Sequence, residues 1–311
     1  MEISQFDLSV DYQRLPYPLQ VKGDQFTYDD NTISLGNVNL AMGKSSVSEF
    51  NGRFEWEKTV YFEIRAGKSY ISLTQIHPWL QSFKTLGDQL KDLGRIKGGF
   101  TLFSLNMKGP LLEPKSWFLE MKGAFSEVAI DTSLFPGPVR INRGSFEAFE
   151  ELRTQKILFR DAQISMLDAR FKVSGSVHNH LKGIDRVDLV LDGKMGPQVN
   201  SWVSKEINMP AELTLRSPLS VSKVHVAWDK DSRTAFTGDL VIQNGPKLSL
   251  DIIQRSHELK LNKLHLQDKD SNASLALDIQ EREFSLKFTG NIAATTRERL
   301  FVKSEFPKGW L

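Results

Sequence analysis

The sequence predicts a mainly β fold, a long curved antiparallel sheet built from repeating hairpins with short connecting helices. Three observations carry that expectation. Apolar and polar residues alternate with period two in block after block, almost from end to end of the 311 residues. Short polar turn signals separate the blocks, which makes neighbours antiparallel, because a parallel pair needs a crossover of about a dozen residues. Only three segments follow helical spacing instead.

The elements follow in chain order. Phe6, Leu8 and Val10, then Val60, Phe62 and Ile64, alternate in the first quarter. Ile76, Trp79, Leu80, Phe83, Leu86, Leu90 and Leu93 recur at helical spacing, with Pro78 early and Gly94 at the end. This predicts a helix over 76–93 whose Trp79, Phe83 and Leu86 lie against the sheet. Gly98-Gly99-Phe100-Thr101-Leu102 opens the next strand. Residues 169–177 put Ala169, Phe171, Val173 and Val177 on one face and Arg170, Lys172, Ser174 and Ser176 on the other, a strand with one wet side. Val187, Leu189 and Leu191 continue the alternation, and Asp192-Gly193 reads as a turn. Val199, Trp202, Val203 and Ile207 predict a second helix between Gly196-Pro197 and Pro210, after which 210–215 reads as a strand.

Leu248, Leu250 and Ile252, then Leu275, Leu277 and Ile279, then Phe284, Leu286 and Phe288 alternate again. Their turns are Asp229-Lys230-Asp231-Ser232, Asn244-Gly245 and Gln280-Glu281-Arg282-Glu283. Thr295 and Glu298, at capping-box spacing, open a third helix that runs to Phe301. Residues 307–311 read as the start of one more strand. Each helix therefore ends a β-rich unit, which divides the chain into 1–94, 95–209 and 210–311, all in one continuous sheet. A finer echo supports repetition, since 223–232 and 263–271 resemble each other forty residues apart.

Composition narrows the function. Apolar residues make up 40% and charged residues 25%, the balance of a folded protein with a sizeable buried surface. Lys and Arg number 40 against 38 Asp and Glu, a net charge of +2 without a concentrated basic run, which argues against nucleic acid as a partner. There is no cysteine, hence no disulfide, no thiolate nucleophile and no Cys-ligated zinc. The apolar runs are far short of the ~20 residues that span a bilayer. The first residues lack the basic start and apolar stretch of a signal peptide.

The chemical motifs resolve into bland readings. Met42-Gly43-Lys44-Ser45 ends like a P-loop, but the required earlier glycine is Val38, so a turn is expected. His178 and His180 would share a strand face as a metal pair, yet they sit in a polar turn with no third ligand. The Asp-Lys-Asp-Ser stretches lack the glycine and distal glutamate of a calcium loop and read as solvated turns. Glu281 and Glu283 are a possible acid-base pair that nothing singles out. His225 and His265 should face water, and Asn272-Ala273-Ser274 is a sequon only in a eukaryotic secretory pathway. No enzyme activity, metal or cofactor is expected.

The apolar face is the unusual feature. About twenty strands turn three or four apolar side chains one way, and three short helices cannot cover them. The sheet must curl, and its interior is either a packed core or a lumen for something greasy.

The punctuation resembles the AsmA-like proteins of Gram-negative envelopes over roughly 95–311. It lies in Gly109-Pro110-Leu111 with Pro114 and Trp117, in 134–139, in Gly196-Pro197 with Trp202, and in Phe236-Thr237-Gly238-Asp239-Leu240 with Gly245-Pro246. The resemblance implies a U-shaped β-groove in the periplasm, anchored to the inner membrane by an N-terminal helix that this sequence lacks, and carrying phospholipid between inner and outer membranes. On that reading the chain is an internal piece of a longer protein. Phe171, Val173, Leu189, Leu191, Leu275, Leu277, Ile279, Phe284, Leu286 and Phe288 are the candidate lipid-groove residues. Phospholipid acyl chains, both membranes and other envelope proteins are the expected partners. Two rival functions stand beside it: a structural or assembly protein with a packed core, and an envelope hydrolase. The interrupted strands at Phe6–Val10 and Trp310–Leu311 should leave open edges that make the chain associate.

Overall fold

The computed structural model describes residues 1–13, 15–57, 59–82, 90, 93–113, 116–133, 135–151, 154–178, 184–206, 211–230, 233–255, 258–280 and 283–303. It is an 18-stranded antiparallel sheet in which each strand pairs with its sequence neighbours. The first run comprises β1 (Glu2–Val10), β2 (Leu19–Asp29), β3 (Thr32–Met42), β4 (Ser45–Trp56), β5 (Val60–Ala66), β6 (Ser69–Ser72) and helix α1 (Leu73–Gln81). The second holds β7 (Leu93–Pro110), β8 (Phe118–Thr132), β9 (Val139–Glu151), β10 (Thr154–Met166), β11 (Ala169–His178), β12 (Arg186–Met195) and α2 (Pro197–Glu206). The third holds β13 (Leu219–Asp229), β14 (Arg233–Ile242), β15 (Lys247–Arg255), β16 (Glu258–Gln267), β17 (Asn272–Ile279), β18 (Phe284–Asn291) and α3 (Ala294–Leu300). β5 and β6 share one place in the ladder, since both pair with β4 on one side and β7 on the other. Two compact units divide the chain: unit 1 is Met1–Ala162 with His178–Gly183, and unit 2 is Gln163–Val177 with Ile184–Leu311.

Each helix is stapled to a hairpin turn, because a short helix cannot hold itself together without tertiary bonds. At α1, Ser45 Oγ accepts the Ser72 N–H at 3.0 Å and Gln75 Oε1 accepts the Lys44 N–H at 2.6 Å, so the turn after β3 holds the helix start. At α2, the Asp168 carboxylate in the turn before β11 accepts the N–H groups of Gln198 and Val199 at 2.7 and 3.1 Å. That supplies the anionic cap a helix N-terminus needs. At α3, Ser271 Oγ accepts the Ala293 N–H at 2.8 Å and donates to Thr296 Oγ1, which donates to Asp268. Arg299 closes this cluster against Asp268 and Asp270 at 2.7 and 3.1 Å.

Several expectations are corrected. The first helix begins at Leu73 and its described part ends at Gln81; Phe83 and Leu86 lie outside the described residues. Ile207, Pro210 and 304–311 lie outside them too, so the strand expected at 307–311 has no structural description. Of the strand expected at 210–215, the described residues 211–215 do not make one: a 3-10 turn occupies Ala211–Leu213, and Leu215 makes a single bridge to Phe301. The Leu215 carbonyl is taken by Asn200 Nδ2 at 2.7 Å, and the ladder place beside β12 belongs to β13. Thr295 does not cap α3; the cap is Ala293 without a side-chain bond, and the Thr295 hydroxyl donates to Asp270. Asp192-Gly193 lies inside β12 rather than at a turn.

The reason for that last difference is a recurring bulge. Asn37, Glu127, Asp161 and Lys223 have φ near +50° inside strands. Each is followed by a buried small residue, Val38, Val128, Ala162 or Val224. A glycine on the neighbouring strand makes room: a Cβ on Gly238 would stand 2.6 Å from the Val224 Cα, and one on Gly144 2.5 Å from that of Ala162. At Lys223 the displaced N–H is accepted by Asp192 Oδ1 at 2.8 Å, and at Asn37 by Asn51 Oδ1 at 3.1 Å. The bulge twists its strand and shifts the side-chain alternation by one residue.

Candidate functional site

The bulges keep the apolar residues of unit 2 on one face. Between Leu261 and Leu264, and between Val221 and Val224, the step is three residues rather than two, and the register shifts at both places. Without the shifts Lys263 and Lys223 would turn onto the apolar side.

Cross-strand pairing then assembles rows. One runs Leu189, Val226, Phe236, Ile252, Leu261, Leu277, Leu286, apolar across seven strands. Beside it lie Leu191 and Val224, the bare Gly238, and then Leu250, Leu264, Leu275 and Phe288. On the far side of the first row, Leu259, Ile279 and Phe284 pair across β16, β17 and β18. Phe171 joins the same face: a Cβ on Gly193 would stand 2.8 Å from its ring. A Cβ on Gly175 would stand 2.8 Å from the Leu189 Cα, so Val173 lies between these contacts, opposite Leu191. All ten expected groove residues therefore share one face of unit 2.

Burial along that face is graded. At one end α3 seals it, where Leu300 packs with Leu219, Ile242, Leu248 and Leu266, all at most 5% exposed, and Phe301 and Met195 pack at the margin. Val173 is also buried. Phe171, Leu189, Leu191, Leu275 and Leu277 are half-buried. Ile279 at 37%, Phe288 at 52%, Leu286 at 55% and Phe284 at 67% are exposed. Val226, Phe236, Leu261 and Leu264 also belong to the rows; the alternation steps by three between Leu261 and Leu264 and, upstream of Val226, between Val221 and Val224, because of the bulges.

The opposite face carries the charges. His225 Nε2 meets Asp188 Oδ1 at 2.9 Å, and His265 Nδ1 meets Ser274 Oγ at 2.9 Å, so both histidines lie on the polar side. Hydrogen bonds from Lys247 and Ser249 hold the Asp239 carboxyl below the usual carboxylate range. Among the described residues no cluster of three His, Asp or Glu is placed to hold a metal, and no helix is long and apolar enough to cross a membrane. His180 and Glu281 lie outside the described residues. The Met42–Ser45 segment forms the two-residue turn expected, with Gly43 at φ +58°.

Unit 1 has its own apolar side, where aromatic rings bury Phe62 and Phe146. Phe62 meets Trp117 edge-on at 5.0 Å, with the indole N–H donating to the Pro110 carbonyl at 2.7 Å. A cleft of about 660 Å³ lies between α1 and the loop after β1, lined by Leu15, Pro16, Tyr17, Gln75 and Trp79 among others.

No family model, no curated protein and no solved structure matches this chain.

Proposed function

We propose that the apolar face of unit 2 solvates acyl chains and that the chain is a segment of a lipid-transfer conduit, carrying phospholipid between the inner and outer membranes from the periplasm. One observation carries the reading: the Leu189-to-Leu286 row is wholly apolar over seven strands, yet its members are half-buried to exposed beyond the seal made by α3. A surface of aliphatic side chains without hydrogen-bonding groups suits a partner that asks for none. Each CH₂ moved from water onto it is worth about 0.8 kcal/mol. The AsmA-like punctuation supplies the compartment and the inner-membrane attachment. Transfer on this reading is diffusion along the rows, with no covalent step and no cofactor.

The rival is a structural envelope protein whose face is a packed core, which the sealed cluster around Leu248 favours locally. Leu191→Glu and Leu277→Glu separate the two. A face that meets lipid or water keeps the new carboxylate hydrated, so thermal unfolding should shift little while binding of a fluorescent fatty acid falls. In a packed core the same charge costs about 3–5 kcal/mol, and a collapse of melting temperature at both positions would refute the conduit.

A further inference from the structure

The apolar face of unit 2 carries hydrogen-bonding side chains at one level of β13, β14 and β15. One end of each of these strands packs with α3, at Leu219, Ile242 and Leu248. Toward the other end the same face carries Trp228, Thr234 and Gln254, which stand opposite one another on the three strands. Position alone does not make this level polar. Val187 faces Trp228 on one side, and on the other Leu259 faces Gln254 and is followed by Ile279 and Phe284.

Trp228 and Thr234 are half-buried and Gln254 is exposed. None of the three has a side-chain hydrogen-bond partner among the described residues. Each supplies a donor, an indole N–H, a hydroxyl or an amide, that the fold leaves to a ligand. Neighbouring strands lie about 4.8 Å apart, so the three donors span about 10 Å across the face. Along β15, Gln254 lies about 20 Å from Leu248 at the rise of a strand. Half the hydrocarbon depth of a bilayer, the reach of one acyl chain, is about 15 Å. A chain anchored at the donors therefore ends short of the α3 seal.

We infer that Trp228, Thr234 and Gln254 form a subsite for the ester linkages of a diacyl glycerophospholipid. The acyl chains lie toward α3 over Val226, Phe236 and Ile252, which precede the three donors on the same face. The headgroup stands past the strand ends, in water. The inference rests on the acyl-binding reading of this face and adds which end of the lipid goes where. An ester carbonyl accepts hydrogen bonds and donates none, so it matches a row of free donors set at the margin of an aliphatic surface. A lipid without carbonyls gains nothing from that row, because its donors stay with water.

The test compares two lipids that differ only in the carbonyls. A pyrenyl alkane bound to the full chain is displaced by a diacyl phosphatidylglycerol or by its dialkyl ether analogue of equal chain length, each kept below its micelle concentration. The diacyl lipid should displace the probe at a concentration roughly 3- to 10-fold lower than the ether lipid. Thr234→Val combined with Gln254→Leu should abolish that advantage while the alkane binds as before, with the melting temperature unchanged because neither side chain holds the fold together. Trp228→Phe keeps the ring, removes the N–H and should narrow the advantage in part, which carries the test if the double variant folds poorly. Equal potency of the two lipids on the unmodified chain, or a diacyl advantage that survives the double variant, would overturn the subsite and leave the acyl-binding face standing. Failure of the alkane to bind the unmodified chain would refute that face and the subsite with it.

Discussion

In unit 1 aromatic rings close over the apolar side at Phe62 and Phe146, whereas in unit 2 the apolar side is laid out in aliphatic rows most deeply covered at one end. Phe62 is 2% exposed beneath Trp117. Farther along, Phe146 takes Phe100 at 5.6 Å and Phe125 at 4.9 Å, and Phe159 stacks on Phe125 at 6.3 Å. Rings of this size reach across strands and pack on one another edge to face, tilted or stacked. The leucines and valines of unit 2 stop at their cross-strand neighbours, and beyond the cluster under α3 and the buried Val173 and Val224 the rows are half-buried to exposed. The same alternating pattern thus builds a core or a binding surface, depending on side-chain reach and on what crosses above.

The comparison breaks most sharply at Phe62. Phe62→Ala removes a ring from a closed aromatic site and should cost about 3–5 kcal/mol, read as a lower urea midpoint with unchanged slope. A loss near that seen at an exposed residue would mean the face of unit 1 is as open as that of unit 2. Next comes the seal on unit 2. Arg299→Ala strips the charged partner from Asp268 and Asp270, whose side chains are 9% and 40% exposed, and should cost about 1.5–3 kcal/mol. Faster hydrogen exchange at the α3 amides, with the β7–β8 amides unaffected, would locate the loss. Leu277→Glu should cost less than about 1 kcal/mol, as at other sites that stay in contact with solvent, and its failure to do so would erase the distinction between the two units.

The smallest effect concerns pH. His77 in α1 is buried with its Nε2 unpartnered, and desolvation lowers its pKa below the ordinary 6.5. A lowered base binds fewer protons folded than unfolded, so its contribution is fully present above the unfolded pKa and is lost as pH falls through the folded one. The melting temperature should therefore drop between neutral and mildly acidic pH more in the wild type than in His77→Gln. Equal slopes would show that His77 is hydrated.

Strand identity, antiparallel order and the side that each strand turns inward were legible at Phe171, Leu189, Leu277 and Leu286, because a period of two is a local property of the backbone. Three helices were legible from the helical spacing around Trp79 and Trp202 and near Thr295, but not their ends: the capping box read at Thr295 is not formed, and Leu93 and Gly94, read as the end of the first helix, lie in β7. Their docking was not: Asp168 caps α2 from thirty residues away, and Asp268 and Asp270 grip α3 across a hairpin. Asp192-Gly193 carries the composition of a turn, yet it serves a bulge on the next strand, a role that exists only once β12 and β13 are paired. The sequence alone determined which residues are apolar and how they alternate. Which of them are sealed, half-buried or left on an open edge was decided by register and by the path of α3, since burial depends on neighbours that the local pattern does not specify.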